Sequence, residues 1–256
     1  MPYAMSDGVQ IYYQVEGSGA PVLLHPGFVS SLLDWYQYGY VDALKGDYQL
    51  ILLDPRGQGQ SEKPHDSEAY SQEQRVTDVV AVLDTLGMNR AHFWGYSMGG
   101  GIGFLLAKRA PERLHSLVLG GAAPFGRPPN AAWAELFHRG MEAFITEGVE
   151  RAMGPLPAET RALWLTNDAE ALAAAIVGTP NLEADLSSMN LPALVYCGDQ
   201  DPPHAGAKRA TELMPNATFV SLPGLTHLPA FFGADVVLPH VQAFLQGVTE
   251  VPAARA

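Results

Sequence analysis

The sequence predicts an α/β protein with a mostly parallel central sheet flanked by helices and a small helical cap inserted late in the chain. Short apolar runs bounded by turn residues alternate with stretches of helical periodicity, which is how a parallel sheet covered on both faces reads. That alternation breaks once, between residues 125 and 191, where the chain turns Ala-rich and is punctuated by Pro128-Pro129, Pro155, Pro157 and Pro180. With 256 residues, 47% of them hydrophobic and 16% charged, the chain has material for one large core. The expected division is a core of residues 1–124 and 192–256 with residues 125–191 as the cap.

The elements follow in order. VQIYYQV and APVLLH read as early strands, with Glu16-Gly17-Ser18-Gly19 as the turn between them. YQLILLD is a third, ending at Asp54-Pro55-Arg56-Gly57. Val76, Val79, Val80 and Leu83 fall at i, i+3, i+4 and i+7, one face of a helix that closes near Gly87. AHFWG is the next strand, and a helix opens directly at Ser97 and stops at Ala110-Pro111. LHSLVLGG precedes the cap; PALVYCGD and NATFVSLPG restore the strand pattern after it, and VVLPHVQAFLQGV closes the chain as an amphipathic helix.

Composition excludes several classes of function. A net charge of -12 without a run of Lys or Arg disfavours nucleic acid as a partner. No stretch approaches the roughly 18 apolar residues of a membrane span, and MPYAMSDGVQIYYQ does not read as a secretory signal, so a cytoplasmic location is expected. Cys197, the single cysteine, allows no disulfide within the chain and sits in the apolar run ALVYC, where a buried, inert thiol is expected. No His-x-x-x-His pair or dinucleotide fingerprint is present, so neither a metal nor a cofactor is expected.

The chemistry centres on Gly95-Tyr96-Ser97-Met98-Gly99, which runs from a strand into a helix. Such a Gly-x-Ser-x-Gly elbow holds the serine in a strained backbone and lifts its hydroxyl out of the sheet, while the glycines let strand and helix approach. The amide of Met98, at the helix N-terminus, then faces the place where an oxyanion would form. A serine hydroxyl is a weak nucleophile by itself, so the elbow needs a base, an orienting acid and a second donor.

With that elbow the chain resembles the α/β-hydrolase superfamily, in its serine-nucleophile branch, over nearly everything except the cap. Three further stretches, in the family's order, carry the likeness. Leu23-Leu24-His25-Pro26-Gly27-Phe28 resembles the oxyanion turn, Asp54-Pro55-Arg56-Gly57-Gln58-Gly59-Gln60-Ser61 the Asp-x-Arg-Gly-x-Gly-x-Ser turn, and Gly198-Asp199-Gln200-Asp201 with Gly224-Leu225-Thr226-His227 the acid and histidine loops. Pro26 departs from the family's His-Gly form and has no N–H, which leaves Gly27 or Phe28 as the second donor, with Phe28 favoured.

Eight histidines compete for the role of base. His204, three residues after Asp201, is the rival to His227; His25 reads as a structural residue of its turn. His227 is preferred because it follows a predicted strand and lies 26 residues after Asp201, a separation that suits one helix and one strand between loops at one sheet edge. The resemblance thus implies Ser97 as nucleophile, His227 as base and Asp201 as orienting acid, without a cofactor. Trp35, Trp133, Phe137 and Trp164 are the expected pocket residues. Hydrolysis of an ester or lactone through an acyl-enzyme is the expected function. A carbon–carbon bond hydrolase acting on a diketone-type substrate and a non-enzymatic ligand receptor are the alternatives.

Overall fold

The computed structural model describes residues 2–250. Eight strands form one sheet: β1 (Tyr3–Ser6), β2 (Val9–Glu16), β3 (Ala20–His25), β4 (Tyr48–Leu53), β5 (Ala91–Tyr96), β6 (Leu114–Gly120), β7 (Ala193–Gly198) and β8 (Ala217–Leu222). Their order is β1-β2-β4-β3-β5-β6-β7-β8, antiparallel at β1/β2 and β2/β4 and parallel from β4 onward. The six parallel strands therefore end at one edge, where an open α/β sheet offers its loops for ligand binding.

Strand β1 is not among the strands that the sequence predicts. It joins β2 in a two-residue hairpin, Ser6 opposite Val9, through Asp7 and Gly8, both at positive φ (47° and 82°). An Asp-Gly pair supplies that backbone, so the signal was present in four residues too few to show periodicity.

Helices cover both faces. On one side lie α3 (Gln72–Thr85), α4 (Met98–Arg109) and α10 (His204–Leu213); on the other lie α1 (Leu32–Gln37), α2 (Tyr40–Leu44), α11 (His227–Phe232) and α12 (Ala234–Glu250). The expected run from Val76 to Leu83 lies in α3, and its buried side also holds Arg75 and Asp78. Helix α1 was not expected from the sequence. It starts on a capping box in which Ser31 Oγ accepts from the backbone and Asp34 returns the bond to the Ser31 N–H.

Between β6 and β7 the chain builds α5 (Ala131–His138), α6 (Met141–Ala143), a π-helical stretch (Phe144–Glu150), α7 (Arg151–Met153), α8 (Ala158–Trp164) and α9 (Ala169–Ala174). These share an apolar cluster of their own, including Phe137, Phe144, Ile145, Trp164 and Leu172, which reaches down to Val29. Among the described residues no helix is long and apolar enough to cross a membrane.

Candidate active site

Ser97 lies between β5 and α4 with φ 54° and ψ -111°, a conformation that L-residues rarely hold. The surroundings enforce it. The Ser97 N–H donates to the Gly120 carbonyl at 2.8 Å. A Cβ on Gly95 would lie 2.2 Å from the Gly99 carbonyl oxygen, and one on Gly99 would lie 2.3 Å from that of His25. Both flanking glycines are thus required by close backbone approach.

The sheet edge brings the expected partners to this serine. Asp201 follows β7, and its Oδ2 accepts from His227 Nδ1 at 2.8 Å. A carboxylate only accepts, so Nδ1 carries the proton, and Nε2 is left to accept from the Ser97 hydroxyl at 2.9 Å. His227 is the first residue of α11, held against the elbow where the Tyr96 hydroxyl donates to its carbonyl. Asp201 is buried, and its Oδ1 has no hydrogen-bond partner among the described residues. Buried Cys197 donates weakly to the same carboxylate at 3.5 Å, and burial pushes its thiol well above the usual range.

The remaining candidates occupy other roles. Asp199 Oδ1 accepts from the Gly224 N–H at 2.8 Å and so ties the acid turn to the histidine turn. His204 pairs with Ser221 Oγ at 2.9 Å on the exposed side of α10. His25 is buried beneath Gly99, and burial pushes it down to about 4. Asp54 accepts from the Leu32 and Gln60 N–H groups, both at 2.7 Å, while Arg56 grips Asp78 with Nε and Nη2 at 2.7 and 2.6 Å. The Asp-x-Arg turn is therefore a structural brace.

The turn after β3 lies against the serine: a Cβ on Gly27 would sit 3.4 Å from Ser97 Cβ. Val29 holds φ 72°, an outlier for a β-branched residue. Its N–H donates to Gln58 Oε1, and its carbonyl accepts from Asn167 Nδ2 at 2.9 Å. Gln58 Nε2 reaches the Gly27 carbonyl at 3.4 Å. Among the described residues the N–H groups of Gly27, Phe28 and Met98 have no protein acceptor, so all three remain available to a ligand.

A cavity of about 640 Å³ opens over Ser97 and His227 and is lined by Phe28 and by Met98, Gly101 and Leu105 along α4. A second, about 80 Å³, also borders Ser97 and His227 and lies among Phe28, Trp133, Trp164 and Phe231. Trp133 borders both, its ring nearly parallel to that of Phe28 (8°) at 6.4 Å. Two of the expected pocket residues need correction. Trp35 is fully buried among Tyr40, Trp94 and Phe231 and lines neither cavity, because α1 turns it into the sheet core. Phe137 also lines neither; it stacks on Phe144 at 4.0 Å, within the cluster between β6 and β7.

Gln58, Asn167 and Arg75 also belong to the site's surroundings, although the sequence does not single them out. Gln58 lies inside the Asp-x-Arg-Gly-x-Gly-x-Ser turn, where its residue type signals nothing, and nothing local marks Asn167. Arg75 carried a visible signal: it lies four residues before Val79, on the apolar face of α3. It is 4% exposed and lines the larger cavity. Burial pushes it down to about 10, with Arg56 nearby adding to the effect and Asp78 opposing it, so it remains cationic at neutral pH.

A family model described as alpha/beta hydrolase fold matches residues 20–190. The chain is similar to the non-heme haloperoxidase of Rhodococcus erythropolis, 29% identical over 279 residues that cover 96% of this chain and 100% of that protein. The 2-hydroxymuconate semialdehyde hydrolase of Pseudomonas sp. (strain CF600) is 33% identical over 159 residues, 61% of this chain and 50% of that one. Among solved structures, the enol-lactonase from Burkholderia xenovorans LB400 resembles it with a TM-score of 0.84 at 27% identity, covering 96% of this chain and 100% of that one.

Proposed function

The chain belongs to the alpha/beta hydrolase fold family, and on that premise we propose that it is a serine hydrolase cleaving carboxylic ester or lactone bonds through an acyl-enzyme. The observation that carries this reading is the continuous chain from Ser97 Oγ to His227 Nε2 (2.9 Å) and from His227 Nδ1 to Asp201 Oδ2 (2.8 Å), open to a cavity of about 640 Å³.

Ser97 Oγ attacks the substrate carbonyl as its proton passes to His227 Nε2. Asp201 holds the imidazole in register and stabilises its cationic form. The N–H groups of Met98 and Phe28 hold the oxyanion. The tetrahedral adduct collapses when the bond to the leaving oxygen breaks and His227 gives that oxygen its proton. Water then attacks the acyl carbon with His227 again as base, and Ser97 is released. Residues 125–191 act as a cap that shapes the substrate space, with Trp133 and Trp164 as its contribution to the walls.

Fluorophosphonate labelling tests the nucleophile. Mapped labelling at Ser97, lost in Ser97→Ala, together with turnover of simple p-nitrophenyl esters, is the expected result. Equal labelling of Ser97→Ala removes the elbow from the mechanism. Carbon–carbon cleavage of a diketone-type substrate is the second reading, and because the relatives include a semialdehyde hydrolase as well as an enol-lactonase, a diketone belongs in the same panel. Stoichiometric labelling without turnover of any ester, lactone or diketone would point to a ligand receptor on the same fold.

A further inference from the structure

The large cavity carries a charge that the hydrolytic chemistry does not use. Arg75 projects from α3 with its Nη2 donating to the Ala175 carbonyl at 2.8 Å. Nε is buried without a partner, and Nη1 has no protein acceptor among the described residues. The nearby carboxylate is already taken, because Arg56 engages both oxygens of Asp78. Two guanidinium groups and one carboxylate leave an uncompensated positive charge in the protein interior, which is costly unless something anionic comes to it.

What borders this charge is also unusual for the chain. Arg127 adds a second cation at the exposed rim of the cavity, and Gln72, one turn before Arg75, lines the same wall with its Nε2 donating to the Gly178 carbonyl at 3.0 Å. The acid in the lining is Asp201, which His227 already engages. The cavity is thus locally cationic inside a protein of net charge -12. Its floor runs along α4 from Met98 to Leu105, about 10 Å at the helical rise. At its middle, Gly101 leaves open space: a Cβ there would meet nothing within 4 Å.

We infer that Arg75 forms a carboxylate subsite, and that the natural substrates are esters or lactones bearing a free carboxylate held away from the scissile bond. The inference rests on the hydrolase reading and names its substrate class. The guanidinium offers a carboxylate its Nη1, which has no protein acceptor among the described residues and, unlike Nε, is not sealed off, and a largely desolvated charge binds a carboxylate with little screening by salt.

Two matched pairs of esters test it. Mono-p-nitrophenyl glutarate against p-nitrophenyl pentanoate places the carboxylate on the acyl side; 4-acetoxybenzoate against its methyl ester places it on the leaving side. In at least one pair kcat/KM is expected to favour the carboxylate by about tenfold or more, a preference that falls to within about twofold in Arg75→Gln and is partly kept in Arg75→Lys. Parity in both pairs with the unmodified protein overturns the subsite whether or not the variants fold, as does a preference that survives Arg75→Gln. If no ester is cleaved, thermal shift decides the subsite: stabilisation by glutarate and not by glutaramide supports it, and equal effects refute it; the hydrolase reading itself fails only if no ester, lactone or diketone turns over.

Discussion

Asn167 Nδ2 donates to the Val29 carbonyl at 2.9 Å, so the loop between α8 and α9 grips the turn that presents Phe28 to Ser97. Val29 sits at φ 72°, and with Gln58 on its N–H, both sides of a strained residue are pinned. Strain of this kind, about 1–3 kcal/mol, persists only where the surroundings over-determine it. Asn167→Ala is therefore expected to let the turn relax and to misplace the Phe28 N–H, the proposed second oxyanion donor. The expected outcome is a fall in kcat of about tenfold with KM little changed, since a donor aimed at the oxyanion acts mainly in the transition state. A change confined to KM would show that the contact shapes binding instead.

Asp201 and Asp199 lie two residues apart but do different work. Asp201 Oδ2 bonds His227 Nδ1, whereas Asp199 Oδ1 takes the Gly224 N–H. Asp201→Asn keeps the shape but offers the imidazole an amide, which favours the wrong tautomer; kcat should drop on the order of 10⁴-fold. Asp199→Asn should cost about 1 kcal/mol of stability and far less activity. Steady-state kinetics with urea melts on both variants would expose a reversed assignment.

Much of this arrangement was legible because it is local. The elbow, the strands around it and the spacing from Asp201 to His227 are encoded within short stretches whose chemistry has few other uses. Trp35 and Phe137 lie outside the pocket expected for them because nothing in a sequence says which way an aromatic ring turns; α1 and the cluster around Phe144 decide that. Arg75 was visible as a charge on an apolar helical face, yet its significance depends on Arg56 having taken Asp78, a tertiary fact. Asn167 reaches Val29 across 138 residues, with no local trace of the contact.

Glycines in the elbow differ sharply in what they tolerate. A Cβ on Gly95 would stand 2.2 Å from a backbone oxygen, so Gly95→Ala should destabilise by more than about 3 kcal/mol or prevent folding. Gly101, inside α4 with open space beside it, should gain about 0.5–1 kcal/mol as Ala through helix propensity. Denaturant midpoints decide; equal losses at both sites would contradict the close approach of β5 and α4.

Buried titratable groups set opposing pH dependences of stability. Burial pushes His25 and His92 down to about 4, and pushes Asp34 and Asp54 up to about 6. The histidines contribute stability that is lost as pH falls from 6.5 towards 4, because the unfolded chain takes up the proton first. The carboxylates act the other way: their desolvation is fully felt above about pH 6 and relieved as pH falls towards 4. His92→Asn removes one acid-labile contribution, so the variant's deficit should shrink between pH 6.5 and 4.5, by at most about 3 kcal/mol. A deficit independent of pH would mean that His92 titrates normally in the fold.

Trp133 and Phe137 stand four residues apart on α5, and their burial assigns them opposite effects. Trp133 borders both cavities and lies over Phe28, so Trp133→Ala enlarges the space around the scissile bond without emptying the core. It should shift the kcat/KM ratio between a bulky and an acetyl ester by about tenfold, roughly the worth of one or two apolar groups in a pocket. Phe137, 1% exposed and stacked on Phe144, supports the helices between β6 and β7 from within. Phe137→Ala should cost about 3–5 kcal/mol and lower activity on every ester alike. A bulky and an acetyl ester assayed beside thermal melts separate the two. If Trp133→Ala also lost activity uniformly, α5 would be bracing the Phe28 turn and not selecting substrates.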